Sequence, residues 1–180
     1  MAIIRDTAIR GRHGSCIIEL TKRGIFAYNW QIFVAAPLLG LQAGRRPDAQ
    51  TGGEVAQISM AQLSTRSRDI MFIFRLIMLA DRDYEPDLQR RLGKAFRYVD
   101  PDTAESQRLY TPADLQSLRE DEERFRSYLR GGIEVLHEEL IGAGGDTISN
   151  IGDFIEQRLP PAARPSIADK IGLPLPGSQS

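Results

Sequence analysis

The chain has 180 residues, 42% of them hydrophobic and 26% charged, enough length for one hydrophobic core and a composition far from that of chains too polar to fold. Its net charge of −1 conceals a division: residues 1–98 carry 15 Lys and Arg against 9 Asp and Glu, whereas residues 99–180 carry 8 against 15. Either the two halves pack together and neutralise one another, or one offers a basic surface to nucleic acid and the other an acidic surface to a protein.

The lone cysteine, Cys16, excludes an internal disulfide, and Met1 to Ile9 holds no apolar stretch of signal-peptide length, so a reducing, cytoplasmic setting is expected. The longest apolar run, Ile70 to Ala80, contains Arg75 and is about half the ~20 residues that cross a bilayer. No membrane span is expected. Arginine supplies 20 of the 23 basic residues, which suits phosphate and carboxylate recognition but also follows from a GC-rich genome.

Residues 1–24, interrupted by Gly11, Gly14 and Gly24, suggest an N-terminal arm or a short strand. From Ile25 to Leu41, apolar residues at Ile25, Tyr28, Ile32, Ala35/Ala36 and Leu39 fall at helical spacing. Pro37 should kink this helix or divide it. Gly40 to Gly53 suggests a surface loop, and Val55 to Leu63 an extended stretch. Ser64 or Thr65 is placed to cap a helix running to Ala80, apolar on nearly every face and therefore central and surrounded. Pro86 opens another, with Leu88, Leu92, Ala95/Phe96 and Val99 as its apolar stripe and Arg90, Arg91, Lys94 and Arg97 opposite.

A polar connector over 100–113 precedes the strongest helical signal, Asp114 to Leu140, whose stripe is Leu115, Leu118, Phe125, Leu129, Gly132/Ile133, Leu136 and Leu140, with Glu122 its one polar member. Paired glycines inside a helix cost roughly 1 kcal/mol each relative to alanine, so Gly131 and Gly132 imply a kink or a close backbone approach. Asp146 caps a last helix with the stripe Ile148, Ile151, Phe154/Ile155 and Leu159, stopped by Pro160 and Pro161. The remainder to Ser180 suggests a Pro-rich tail.

Chemistry is sparse. Glu134 and His137 have the Glu-x-x-His spacing of di-iron bundles, but no second such pair occurs. His13 and Cys16 have the residue types of a base and a nucleophile without a strand–turn–helix around them. No P-loop or dinucleotide fingerprint is visible. The consecutive acids Glu120 to Glu123 point in different directions on a helix and, with Arg119, Arg124 and Arg126 around them, suit an ion-paired helix face rather than a two-metal site. No catalytic residue, metal site or cofactor is therefore expected. The Arg90/Arg91/Lys94/Arg97 face is the candidate for DNA phosphates.

Two signatures carry a family resemblance: Phe33-Val34-Ala35-Ala36 followed by Gly40-Leu41 and Gly44-Arg45-Arg46, and the later run Phe125 to Leu136 containing Tyr128-Leu129-Arg130-Gly131-Gly132-Ile133. Over roughly residues 25–140 the chain resembles small accessory proteins encoded beside bacterial DNA phosphorothioation (Dnd) modification and restriction genes. It departs from their pattern at Pro37 and in the 100–113 connector. The resemblance implies an all-α accessory subunit of a defence system without established catalytic residues, and it marks Arg45, Arg46, Gly131 and Gly132 as positions where another chain or another segment packs.

The expectation is an all-α bundle of five or six helices around a central apolar helix, with an arm at 1–24, a helical domain at 25–159 and a tail at 160–180. Its expected role is a non-enzymatic adaptor within a phage-defence or DNA-modification complex, binding other proteins of that complex; the alternative is a small DNA-binding module.

Overall fold

A computed structural model describes residues 3–96 and 111–158; the expected tail and Arg97 lie outside them. The fold is all-α, with seven α-helices and one short strand pair among the described residues. Two units are distinguished, Met1–Glu138 and Glu139–Ser180.

In the first unit, β1 (Thr7–Arg10) pairs antiparallel with β2 (Val55–Ile58), Thr7 opposite Ile58 and Ile9 opposite Ala56. Those four face inward, since alternate residues of a strand share a side. Helix α1 (Gly11–Lys22) begins directly after β1. The expected N-terminal arm is thus a core element: His13, Cys16, Ile17 and Leu20 form a buried helical stripe, and Ile3 is also fully buried. Two of the glycines that break its sequence pattern, Gly11 and Gly14, are required by their surroundings. Gly11 adopts φ +66°, and a Cβ on Gly14 would strike the backbone of Glu54 and Ile9.

Helix α2 (Asn29–Ala43) runs through Pro37 as one helix and ends at Gly44 in the left-handed conformation. The expected interruption does not occur, because burial of Ile32, Phe33, Ala36 and Pro37 offsets the lost backbone bond. After β2, Ser59 and Gln62 form the reciprocal cap of α3 (Met60–Ser64). The Ser64 and Thr65 hydroxyls donate back to the carbonyls of Ala61 and Gln62 rather than capping α4 (Ser67–Ala80). Helix α4 buries Ile70, Ile73, Phe74, Ile77 and Met78 and packs on α5 (Leu88–Phe96), whose first turn is held by Asp87 accepting from the Arg90 amide at 2.8 Å.

Helix α6 (Pro112–His137) starts with Thr111 and Asp114 exchanging bonds. It passes through Gly131–Gly132 without a break, and a π-helical turn, Glu138–Gly142, follows. Its principal neighbour is α2. The two backbones touch where Ala36 and Gly40 cross Tyr128 and Gly132: a Cβ on Gly132 would overlap the Ala36 carbonyl oxygen, and one on Gly40 the Tyr128 carbonyl oxygen. Phe125 lies between Phe33 and Phe74, with ring centroids 6.0 Å apart on both sides, at the centre of the core.

The described part of the second unit, residues 139–158, holds the rest of the π-helical turn and the helix α7 (Thr147–Arg158), capped as expected by Asp146, which accepts from the Ser149 amide at 3.2 Å. Asn150 donates to the carbonyls of Leu140 and Gly144, and Arg158 pairs with Glu139 at 2.7 Å. No residue of α7 is buried, and Ile148 and Ile155 of its apolar stripe are exposed.

Candidate partner-binding surface

The turn between α4 and α5 is fixed by two buried carboxylates. Asp81 accepts from Arg124 Nε at 2.6 Å, from the Tyr128 hydroxyl at 2.8 Å and from the Tyr84 amide at 3.1 Å. Asp121 accepts from Lys94 Nζ at 2.7 Å and from the Tyr84 hydroxyl at 2.9 Å. Lys94 and Arg124 also lie over the Tyr84 ring, at 4.6 and 4.9 Å from its centroid. Burial, and then the bond each donates to a carboxylate, holds the Tyr84 and Tyr128 hydroxyls protonated far above the ordinary tyrosine range. A buried charge that is paired and hydrogen-bonded is tolerated; one left unpaired is not.

This network sets the rotation of α5. Lys94 turns inward to Asp121, and Arg91, also buried, donates from Nη1 to the carbonyls of Glu85 and Pro86, 3.0 Å each. Among the described residues of the expected apolar stripe, Ala95 alone is buried; Leu88, Leu92 and Phe96 face solvent, Leu88 at 55% and Phe96 at 56% exposure, and Val99 lies outside the described residues. On the neighbouring helix α4, Phe72, 65% exposed, and Leu76 also face solvent. The Arg75 guanidinium sits 5.3 Å from the Phe96 ring centroid and so joins the two helices. Helix α4 is therefore not surrounded, as its all-round apolar sequence implies, but carries an open face beside that of α5.

Two of the four cations expected to form a basic face on α5 turn to internal acceptors instead. Arg91 and Lys94 are committed to internal acceptors, Arg97 lies outside the described residues, and Arg90 alone of the described three is exposed. The helix pattern places cations on one side but does not show that a buried aspartate from α6 claims one of them.

The other marked positions serve the fold. The close approach at Gly131 and Gly132 is made by the same chain, Gly131 beneath the Arg45 carbonyl and Gly132 beneath that of Ala36, so both are buried and offer no surface to another molecule. The Arg45 side chain pairs with Glu138, and the Arg46 guanidinium lies 5.8 Å from the Tyr128 ring centroid. Arg46 borders an open cleft of about 660 Å³ shared with Tyr84, Glu120, Glu123, Arg124 and Arg130. Three of its charges are already engaged: Arg130 pairs with Glu123 at 2.6 Å, and Arg124 with Asp81.

Glu134 and His137 do not converge. His13 meets Glu134 at 3.2 Å, while His137 meets Glu19 at 2.8 Å, two crossed links between α1 and α6. Among the described residues no cluster of three or more His, Cys, Asp or Glu is placed to hold a metal. Burial pushes the Cys16 thiol above its ordinary range, against the thiolate a nucleophile needs. The acidic run divides, with Asp121 and Glu122 buried and Glu120 and Glu123 exposed. Among the described residues no helix is long and apolar enough to cross a membrane.

Fold and surface together define a class: an all-α protein with an uncovered apolar face on two adjoining helices. Comparison with protein-family models, curated proteins and solved structures returns no match.

Proposed function

We propose that the protein is a non-enzymatic docking subunit acting through protein–protein contact, with the α4–α5 face as its binding surface and a helix of another polypeptide as the occupant. The inverted α5 carries this reading: its large apolar side chains point to solvent while a lysine and an arginine point inward. Fully burying one such side chain contributes roughly 1.5–3 kcal/mol. Covering five that are about half exposed yields roughly 4–7 kcal/mol before the entropy of association, enough to drive a specific contact. Contiguous apolar surface of this kind marks binding sites.

The resemblance over residues 25–140 to accessory proteins of DNA phosphorothioation loci supports seeking the partner within a DNA-modification or phage-defence complex. Direct DNA binding has less support, since two of the cations proposed for it have internal partners.

The test is tagged purification from the native cells, with and without nuclease, for the wild type and for Phe72→Asp/Leu92→Asp. The expected result is a protein partner that survives nuclease and is lost from the variant. Retention by the variant overturns the assignment of the surface, and a partner lost on nuclease treatment favours DNA.

A further inference from the structure

Resting on the docking reading, we propose that the occupant is a short acidic amphipathic helix, its apolar side chains seated on Phe72, Leu76, Leu92 and Phe96 and its carboxylates paired with Arg68 and Arg75. The apolar positions recur at i, i+4 on both helices, Phe72/Leu76 and Leu88/Leu92/Phe96, and the α5 stripe spans about 12 Å at 1.5 Å per residue. A surface of that length matches two to three turns of a third helix laid against the pair.

The charge of the occupant follows from the rim. Arg68 stands one turn before Phe72 on the exposed side of α4, and Arg75, three residues after Phe72, carries its guanidinium to within 5.3 Å of the Phe96 ring centroid. Neither forms an ion pair with a carboxylate among the described residues, and the buried Nε of Arg75 has no hydrogen-bond acceptor there. Asp69 is the one acid on the outward face of α4. A guanidinium part-withdrawn from water beside aromatic rings is satisfied best by a carboxylate, which it binds through two parallel bonds. The apolar centre gives a phosphate backbone nothing to bind, and a second copy docked through the same face would bring its own Arg68 and Arg75 against these.

The full-length protein is titrated into two fluorescein-labelled synthetic helices of about 14 residues with the same leucine stripe, one flanked by glutamates and one by lysines. Fluorescence anisotropy is expected to show the glutamate peptide binding at least tenfold more tightly, with Arg68→Glu/Arg75→Glu reversing the order and Phe72→Asp/Leu92→Asp abolishing both. Circular dichroism melts verify that the variants fold, as substitutions at exposed positions should permit. Equal binding of both peptides, unaffected by charge reversal, overturns the acidic occupant and leaves the docking surface standing. Failure of both peptides to bind overturns the surface itself. Sedimentation showing a dimer that Phe72→Asp dissociates assigns the face to a second copy, and binding to phosphatidylglycerol vesicles that the glutamate peptide does not displace assigns it to lipid; either result overturns the proposal.

Discussion

Replacing Gly132 by alanine tests the backbone contact on which the fold depends. The added Cβ would overlap the Ala36 carbonyl oxygen and lie 2.8 Å from Ala36 Cα, where carbon atoms prefer roughly 3.5–4.0 Å. Nothing soft can yield, because the obstacle is helix backbone, so α2 and α6 must part by about 1 Å. That separation loosens the Phe33–Phe125 contact beneath the crossing. Overpacking of this kind costs typically 1–3 kcal/mol and sometimes more, and alanine's better helix propensity returns about 1 kcal/mol.

Because the clash is with backbone, the cost falls at the upper end of that range, and the net expectation is a loss of about 2 kcal/mol, which lowers the melting temperature by roughly 4–8 °C in a chain of this size. Thermal and urea unfolding followed by circular dichroism measure it. Gly152→Ala is the control: it lies in α7 with no atom within 4 Å of its added Cβ, and only the helix-propensity gain applies. Gly40→Ala should act like Gly132→Ala, and the double variant should cost less than the sum, since one separation relieves both clashes. A Gly132→Ala protein that melts within a degree of wild type would refute the close crossing.

Three other outcomes follow from the buried charges. Burial lowers the His13 pKa despite the neighbouring Glu134, so the folded state favours neutral imidazole; the resulting stability is complete above the unfolded value near 6.5 and declines as pH falls through the lower folded value. The difference in urea midpoint between wild type and His13→Gln should therefore shrink from pH 7.5 to pH 5, and a constant difference counts against it. Burial raises the Glu122 pKa although Arg126 and Arg5 oppose it, so this carboxyl supports the fold when protonated and that support is lost as pH rises through its folded value. Glu122→Gln should then be more stable than wild type at pH 7.5, by a margin that closes toward pH 4 in the same assay. Asp121→Ala leaves Lys94 and the Tyr84 hydroxyl without their acceptor and should cost about 3 kcal/mol, at the low end for a broken buried pair because Lys94 keeps some solvent contact. Adding Lys94→Met should recover part of that loss in urea unfolding, and a fully additive double variant would show that the pair is not coupled.

How much of this was legible depends on whether the signal was local. The α6 register from Phe125 onward, the Asp146 cap and the close approach at Gly131–Gly132 are written in adjacent residues and are found in the structure, whereas Leu115 at the start of the expected stripe is exposed. Helix α1 was missed because Gly11 and Gly14 look like breakers; what makes them acceptable is the 50–54 segment pressing on them from far along the chain. The continuity of α2 through Pro37 was missed for a related reason, since proline's local penalty is visible and the offsetting burial against α6 is not.

Helix α5 shows where a single sequence ceases to decide. Its amphipathic pattern fixes two opposite faces, apolar and basic, and the ordinary rule turns the apolar one inward. The rule fails here because Asp121, 27 residues beyond Lys94, and the turn carbonyls of Glu85 and Pro86 supply acceptors that only the folded chain brings together. Once Lys94 and Arg91 are held, geometry leaves Leu88, Leu92 and Phe96 no inward direction, because side chains four apart on a helix share a face. The uncovered stripe is thus a consequence of how the polar network anchors the helix rather than a defect of packing. A hint was present in α4: a helix apolar on nearly every face must be either enclosed or left with a surface for something else. The exposure of Phe72 and Leu76 beside the α5 stripe selects the second case.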